Sequence, residues 1–296
     1  MNSREKGFLL LSSHLGDSHR RPLTVPQLRE LERCVLRSER QNSHTDLQRE
    51  DLLALGCNED LAVKVVELLS DLPLLDAYLR KGSGQGCVPL SRVTRGYPPR
   101  VRKLLDLDAP GCIWLKGNTD LLNKPAVALV GSRSLSYENE KFARMVGMMA
   151  ANYGLVLISG NARGADCIAQ TSCLAAGGNV ISVVADTLFD KRPTDHMLYI
   201  SEDGFDLPFT NQRALSRNRL IHCMATNVFV AQCSNGTGGT WDGTCRNLRG
   251  HWSTVYCMAD GSAAAVKLYR MGANLKRIVE LDETFVKIAR DIGDYE

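Results

Sequence analysis

Short apolar runs, each ending abruptly in a glycine-rich or polar turn, recur through the C-terminal two thirds of the chain, at residues 126–130, 155–159, 180–185, 227–231 and 254–258. Runs this short and this uniformly apolar are expected of parallel strands that helices cover on both faces. Segments with apolar residues at helical spacing lie between them: residues 137–153, closed by Gly154, then 165–176, closed by Gly177 and Gly178, then 213–224 and 240–248. Two further helices are expected at residues 263–271 and 282–291. Strands alternating with helices predict an α/β fold with a doubly wound, mostly parallel sheet. Residues 113–115 read as a short strand or extended lead-in to that sheet, 101–105 and 196–200 as helical, and 186–193 and 205–212 as loops.

The first 80 residues lack this alternation and predict a small helical domain. Thr24 is placed to cap a helix running from Val25 to Arg37, with Pro26 in its first turn. Residues 41–44 form a polar break. Residues 47–55 and 61–69 then carry apolar positions at helical spacing around Gly56. The pair is compatible with a helix-hairpin-helix, although a single glycine in the turn favours a plain helical bundle. KGSGQG at residues 81–86 has the composition of a flexible linker. The expected organisation is a helical domain at 1–80, a linker at 81–89 and an α/β domain at 90–296.

A chain of 296 residues can hold two domains, and 44% hydrophobic with 23% charged residues is ordinary for a soluble protein. No apolar run approaches the roughly 18 residues of a membrane span, and the patch at residues 8–11 is too short for a signal peptide and lacks a cleavage site. A cytoplasmic protein without membrane contact is expected. The ten cysteines include no CxxC pair. Several, such as Cys173, Cys233 and Cys257, fall inside predicted elements, where a thiol behaves as a small hydrophobe. The net charge of +3 is unevenly spread: residues 87–103 carry five basic residues and no acid, residues 207–241 carry Arg213, Arg217 and Arg219 and no acid, and residues 280–296 carry six acids. Two basic clusters flanking one glycine-rich crevice point to an anionic ligand.

The crevice is located by the turns. In open parallel sheets ligands sit beyond the carboxyl ends of the strands, which is where Gly131-Ser132-Arg133 and Gly160-Asn161-Ala162-Arg163-Gly164 fall. The first turn lacks G-x-G-x-x-G, and no G-x-x-x-x-G-K-[ST] occurs, so neither a dinucleotide fingerprint nor a phosphate-loop lysine is present. A helix N-terminus with Ser132 and Arg133 beside it can hold a phosphate; equally, Arg133 can pair with Glu138. In the second turn Asp166 reads as a structural residue at a helix start. Arg217 and Arg219 flank Asn218, and residues two apart on a helix do not share a face, so one of the two arginines should point away from any ligand. Thr237, Gly238, Gly239 and Thr240 ahead of a helix form a second candidate phosphate nest or a plain surface turn. With no carboxylate cluster and no metal-ligand spacing, neither catalytic residues nor a metal or cofactor is expected.

Taken in order, VALVGSR, SGNARGAD, Ser201-Glu202 and SRNRLI, with YPPRVRKLLDLDAP upstream and KLYRMGAN downstream, resemble the DNA-processing protein A (DprA/Smf) family over roughly residues 90–273. The resemblance implies an extended Rossmann-like fold that binds and protects single-stranded DNA, loads a RecA-type recombinase in natural transformation and recombination, and acts as a homodimer rather than as an enzyme. On that resemblance Ser132 and Arg133 match the phosphate-contacting turn, Gly160, Arg163 and Gly164 the second turn, and Arg217, Asn218 and Arg219 the third motif. The family's lysine after the third strand has only a loose counterpart in Lys191 or Arg192, within LFDKRPTDH. The turn SNGTGGTWDGT departs towards the PGGxGT turn of the related LOG-type proteins, so the alternative is a nucleotide-binding protein or nucleotide phosphoribohydrolase. That hydrolase needs a carboxylate close behind its glycine turn, and Asp242 is the only acid there. The winged-helix tail of some members is not expected, since too few residues follow the sheet.

Overall fold

The computed structural model describes residues 1–17, 19–36 and 47–293. The expected polar break at residues 41–44 and the helix end at Arg37 lie outside the described residues. The chain divides into two compact units, residues 1–114 with 203–205 and residues 115–202 with 206–296.

In the first unit, α1 (Ser3–Ser12) starts with a capping box between Asn2 and Glu5. α2 (Val25–Leu36), α3 (Arg49–Ala54), α4 (Glu59–Ser70) and α5 (Leu72–Gly84) follow, then β1 (Val88–Ser91), α6 (Pro99–Leu105) and the start of β2 (Cys112–Gly117). Leu23, Leu31, Leu52, Leu61 and Val65 form a buried core among these helices. Buried Arg20 donates to the carbonyls of Leu10, Ser13 and Leu68 and pairs with Asp71 at 2.9 Å. One guanidinium thereby satisfies end carbonyls of both α1 and α4, which have no acceptor role within their own helices.

Residues 81–84, expected to be linker, are the last turn of α5. Gly82 is buried, and a Cβ there would lie 2.5 Å from Cζ3 of Trp114. The rings of Tyr78, Trp114 and Phe205 meet there with centroids 4.6–5.2 Å apart. The packing of this aromatic cluster outweighs the poor helix propensity of the glycines.

The second unit contains β3 (Ala126–Val130), α7 (Tyr137–Asn152), β4 (Val156–Ser159), α8 (Ala165–Ala175), β5 (Asn179–Val184), β6 (Met197–Glu202), α9 (Asn211–Met224), β7 (Asn227–Val230), α10 (Gly239–Gly250), β8 (Thr254–Met258), α11 (Ala263–Arg270), β9 (Asn274–Lys276) and α12 (Leu281–Gly293). Its strands pair in the order β6-β5-β4-β3-β7-β8-β9, every pairing parallel. The fold is an extended Rossmann-like, doubly wound sheet. Of residues 196–200, expected to be helical, 197–200 instead belong to β6, which pairs with β5 from Val180↔Met197 to Val184↔Ser201, and His196 lies in the turn before it. MLYISE is an apolar run too short for its period to separate helix from strand, and the open edge of β5 decides it.

Val127, Leu129, Leu157 and Phe229 face α7, α8 and α12 in one core. The alternate residues face the other side, where α9 packs on β3 to β6 with α10 beside it. α7 and α8 are in backbone contact: a Cβ at Gly147 would lie 2.2 Å from the carbonyl oxygen of Ala169. The chain winds outward from β3 through β4, β5 and β6, then returns to lay β7 on the other side of β3. The carboxyl ends of β3 and β7 therefore diverge into a crevice at this switch point.

Candidate functional site

A cleft of about 450 Å³ opens at the switch point, lined by Gly131, Ser132 and Arg133 after β3, by Thr237, Gly238, Gly239 and Thr240 before α10, and by Leu215, Arg217 and Asn218 from α9. Side-chain hydrogen bonds fix its walls. Thr240 Oγ1 donates to the Gly131 carbonyl at 3.0 Å, and Asn218 Nδ2 donates to the Gly239 carbonyl at 3.1 Å. The Ser132 N–H donates to Gln232 O at 2.8 Å, and the Ser136 N–H to Gln232 Oε1 at 2.9 Å. Gly238, the N-cap of α10, has no side chain to satisfy the first-turn amides, and a helix start of this kind can hold an anion.

A second cleft of about 390 Å³ is lined by Gly160, Asn161, Ala162 and Arg163 from the turn after β4, by Ala185 and Asp186 after β5, and by Phe209. The two clefts share Arg133, Ala162, Ala214 and Arg217. Gly164 adopts φ +89°, and a Cβ there would strike the Ser132 carbonyl oxygen at 2.5 Å, so this position requires glycine. The Ala165 N–H donates to that same carbonyl at 3.1 Å. The first two turns are thus locked together through backbone.

The three cleft arginines differ in kind. Arg133 and Arg163 are exposed, and among the described residues neither forms an ion pair. Glu138, the alternative partner for Arg133, accepts from Lys141 instead at 3.1 Å. Arg217 is buried, 7% exposed, with Nη2 3.8 Å from Asp166 Oδ2 and no hydrogen-bond partner for Nε. Burial lowers the Arg217 pKa, opposed by the charges of Asp166 and Glu202. Burial also raises the Asp166 carboxyl, opposed first by Arg217 and then by N–H and O–H donors from Ala162, Ser159 and Gly160. Each charge opposes the shift that burial imposes on the other, and the guanidinium lies in the floor shared by both clefts.

Arg219 lines neither cleft, as the two-residue spacing on α9 requires. Lys191 and Arg192 also lie off the clefts. Lys191 Nζ is held by Asp186 at 2.8 Å, and Arg192 Nη1 donates to the Phe189 carbonyl at 3.0 Å. Lys191 acts here by neutralising the one carboxylate of the second cleft. Asp166, Asp186 and Phe209 were not among the expected ligand contacts.

A family model for the DNA recombination-mediator protein A matches residues 90–275. The chain belongs to this family. It is 34% identical to the DNA processing protein DprA of Streptococcus pneumoniae over 141 residues, 44% of this chain and 50% of that protein. The chain spans about half the length of the curated relatives it matches. Among solved structures, the DprA of Streptococcus pneumoniae superposes with a TM-score of 0.66 at 26% identity, covering 86% of this chain and 95% of that one. The DNA processing protein A of Helicobacter pylori, studied for its single-stranded DNA binding mode, superposes with a TM-score of 0.56 at 22% identity over 68% of this chain and 96% of that one. The matched family region contains Arg133, Arg163 and Arg217. Among the described residues no helix is long and apolar enough to cross a membrane.

Proposed function

We propose that the paired clefts bind the sugar-phosphate backbone of single-stranded DNA and that the protein mediates recombination without itself catalysing a reaction. The observation that carries this reading is the convergence of Arg133 and Arg217 on both clefts, with Arg163 beside them. Three guanidiniums, glycine turns that let a backbone approach, and the N-terminus of α10 suit successive phosphates. The single-stranded DNA binding described for the Helicobacter pylori protein supports the same ligand here. In this reading residues 90–296 carry the DNA site, the bound strand is protected and handed to a RecA-type recombinase during DNA uptake, and a cytoplasmic homodimer is the working form.

A second reading, a LOG-type nucleotide-binding or phosphoribohydrolase protein, draws on the glycine turn at the first cleft. Against hydrolysis stands Asp242, which pairs with Arg246 at 3.0 Å and does not line the cleft. The test is competition for a fluorescent oligothymidylate by single strand, duplex and mononucleotides. Single strand should compete at the lowest concentration, whereas a mononucleotide competing as well as the oligomer would favour the second reading.

A further inference from the structure

The stripe of α2 that carries Gln27, Glu30 and Cys34 runs from α4 back to the turn that precedes it. Lys64 Nζ donates to Gln27 Oε1 at 3.0 Å, and Asn58 Nδ2 donates to Glu30 Oε1 at 2.7 Å. One turn further along that stripe Cys34 meets Cys57. The two thiols are hydrogen-bonded and belong to one buried core. Gly56, at φ +87°, closes α3, and the Cys57 N–H donates to the Leu52 carbonyl at 3.0 Å, so the backbone holds this thiol against α2. Cys112, Cys167 and Cys173 donate instead to carbonyls, and Cys245 faces the Met271 thioether at 3.8 Å, partners with which no disulfide can form. Cys34 and Cys57 are 8% and 6% exposed, within reach of a small reagent, whereas Cys173 is sealed at 0%.

We propose that Cys34 and Cys57 form an oxidisable dithiol, a modification site that exchanges with small disulfides and closes into a disulfide between α2 and the turn after α3. Neither residue lines a cleft, so the site is independent of the DNA reading. Burial, and after it the hydrogen bond to Cys34, push the Cys57 thiol up to about 12. Cys57 therefore stays protonated and Cys34 is the attacking sulfur. The Cys34 thiolate attacks one sulfur of the small disulfide, whose S–S bond breaks and releases one thiolate. In the mixed disulfide Cys34 no longer bears a charge that opposes ionisation of Cys57. The Cys57 sulfur then gives up its proton, attacks Cys34 Sγ and expels the second thiolate. The two released thiolates take up the two protons lost by the cysteines. The chain is oxidised by two electrons and the small disulfide is reduced by two. A reducing compartment keeps the pair open, and a rise in small disulfides closes it.

The test uses the full chain, an excess of oxidised glutathione, and non-reducing peptide mapping after the remaining thiols are blocked. The parent should lose two of its ten thiols, yield a peptide linked through Cys34 and Cys57, and recover both thiols in dithiothreitol. Cys57→Ser should stop at a glutathione adduct on Cys34, and Cys34→Ser should keep Cys57 reduced. Phenylarsine oxide, which bridges two adjacent thiols, should protect both cysteines of the parent from alkylation, a readout that depends on no variant. A linkage between other cysteines, a lasting glutathione adduct on Cys34 of the parent, or no loss of thiols overturns the proposal. So does arsenical treatment that leaves Cys34 and Cys57 open to alkylation.

Discussion

The guanidinium of Arg217 occupies the space in which a side chain at Gly160 would begin: an ideal Cβ there falls 1.3 Å from Nη1. The turn after β4 and the middle of α9 are thereby fitted to each other at a single point. That fit lays a buried cation across the floor of two clefts.

Gly160→Ala, in the lining of the second cleft, should displace the Arg217 guanidinium while leaving the exposed Arg133 and Arg163 side chains in place. The expected loss in single-strand affinity is about 1.5–3 kcal/mol, the worth of a hydrogen bond to a charged group. Circular dichroism and fluorescence anisotropy on the same preparation read it. Full affinity in a folded variant would show that the position of Arg217 does not matter to binding.

Arg133→Ala reports on the exposed arm of the site. If Arg133, Arg163 and Arg217 each meet one phosphate, the log–log dependence of affinity on salt should have a slope of about −2, from roughly −0.7 per phosphate of a single strand. The substitution should flatten that slope by about 0.7 and act equally on all base compositions, because phosphate contacts carry no sequence information. Arg219→Ala, off the clefts, should leave affinity and slope unchanged. An Arg219→Ala loss as large as that of Arg133→Ala would reassign the third phosphate.

Removing one member of the buried pair should destabilise the fold more than removing both. Arg217→Ala leaves Asp166 buried without its counter-charge, at a cost of about 3–5 kcal/mol. Arg217→Met combined with Asp166→Leu should recover most of that in urea unfolding, while DNA binding stays lost. Equal stability of the single and double variants would contradict a mutually dependent pair.

His222 should make stability fall in acid. It is fully buried, and burial lowers its pKa from 6.5 to about 4. Asn247 Nδ2 lies 2.8 Å from its Nδ1, which assigns Nδ1 as acceptor and the proton to Nε2. The unfolded chain takes up the proton near its ordinary pKa and the folded chain only near pH 4. The contribution is therefore complete above about pH 6.5 and is lost as pH falls through that window. It amounts to on the order of 3 kcal/mol. Urea midpoints at pH 7.5, 5.5 and 4.5 for the parent and His222→Gln isolate the effect. A parent that loses no more stability than the variant would rule it out.

The five apolar runs that became β3, β4, β5, β7 and β8 were readable because burial on both faces leaves no polar alternation to blur them. The same logic located the turns beyond β3, β4 and β7. β6 is not legible as a strand because a segment of six residues carries no decisive period, and β9, three residues long, carries none at all. The helical end of α5 was hidden by composition, since nothing in KGSGQG shows that Trp114 and Phe205 pack over Gly82. At the site, the charge of Arg217 was visible and its depth was not, because depth depends on which glycine lies across it. The pairing of Lys191 with Asp186 is likewise invisible in the sequence, because it depends on how the loop after β5 folds back. A signal for Phe209 did exist, as the one aromatic residue directly ahead of α9 in an acid-free stretch.

The contact between Gly147 and Ala169 has a reach beyond the core in which it sits. α8 begins at the turn that carries Arg163, so the distance between α7 and α8 sets where that turn stands against the Ser132 carbonyl. Any side chain at 147 must push α8 away and drag its leading end with it. In a saturation library scored for DNA retention, position 147 should therefore cluster with the cleft arginines, although Gly147 lines neither cleft.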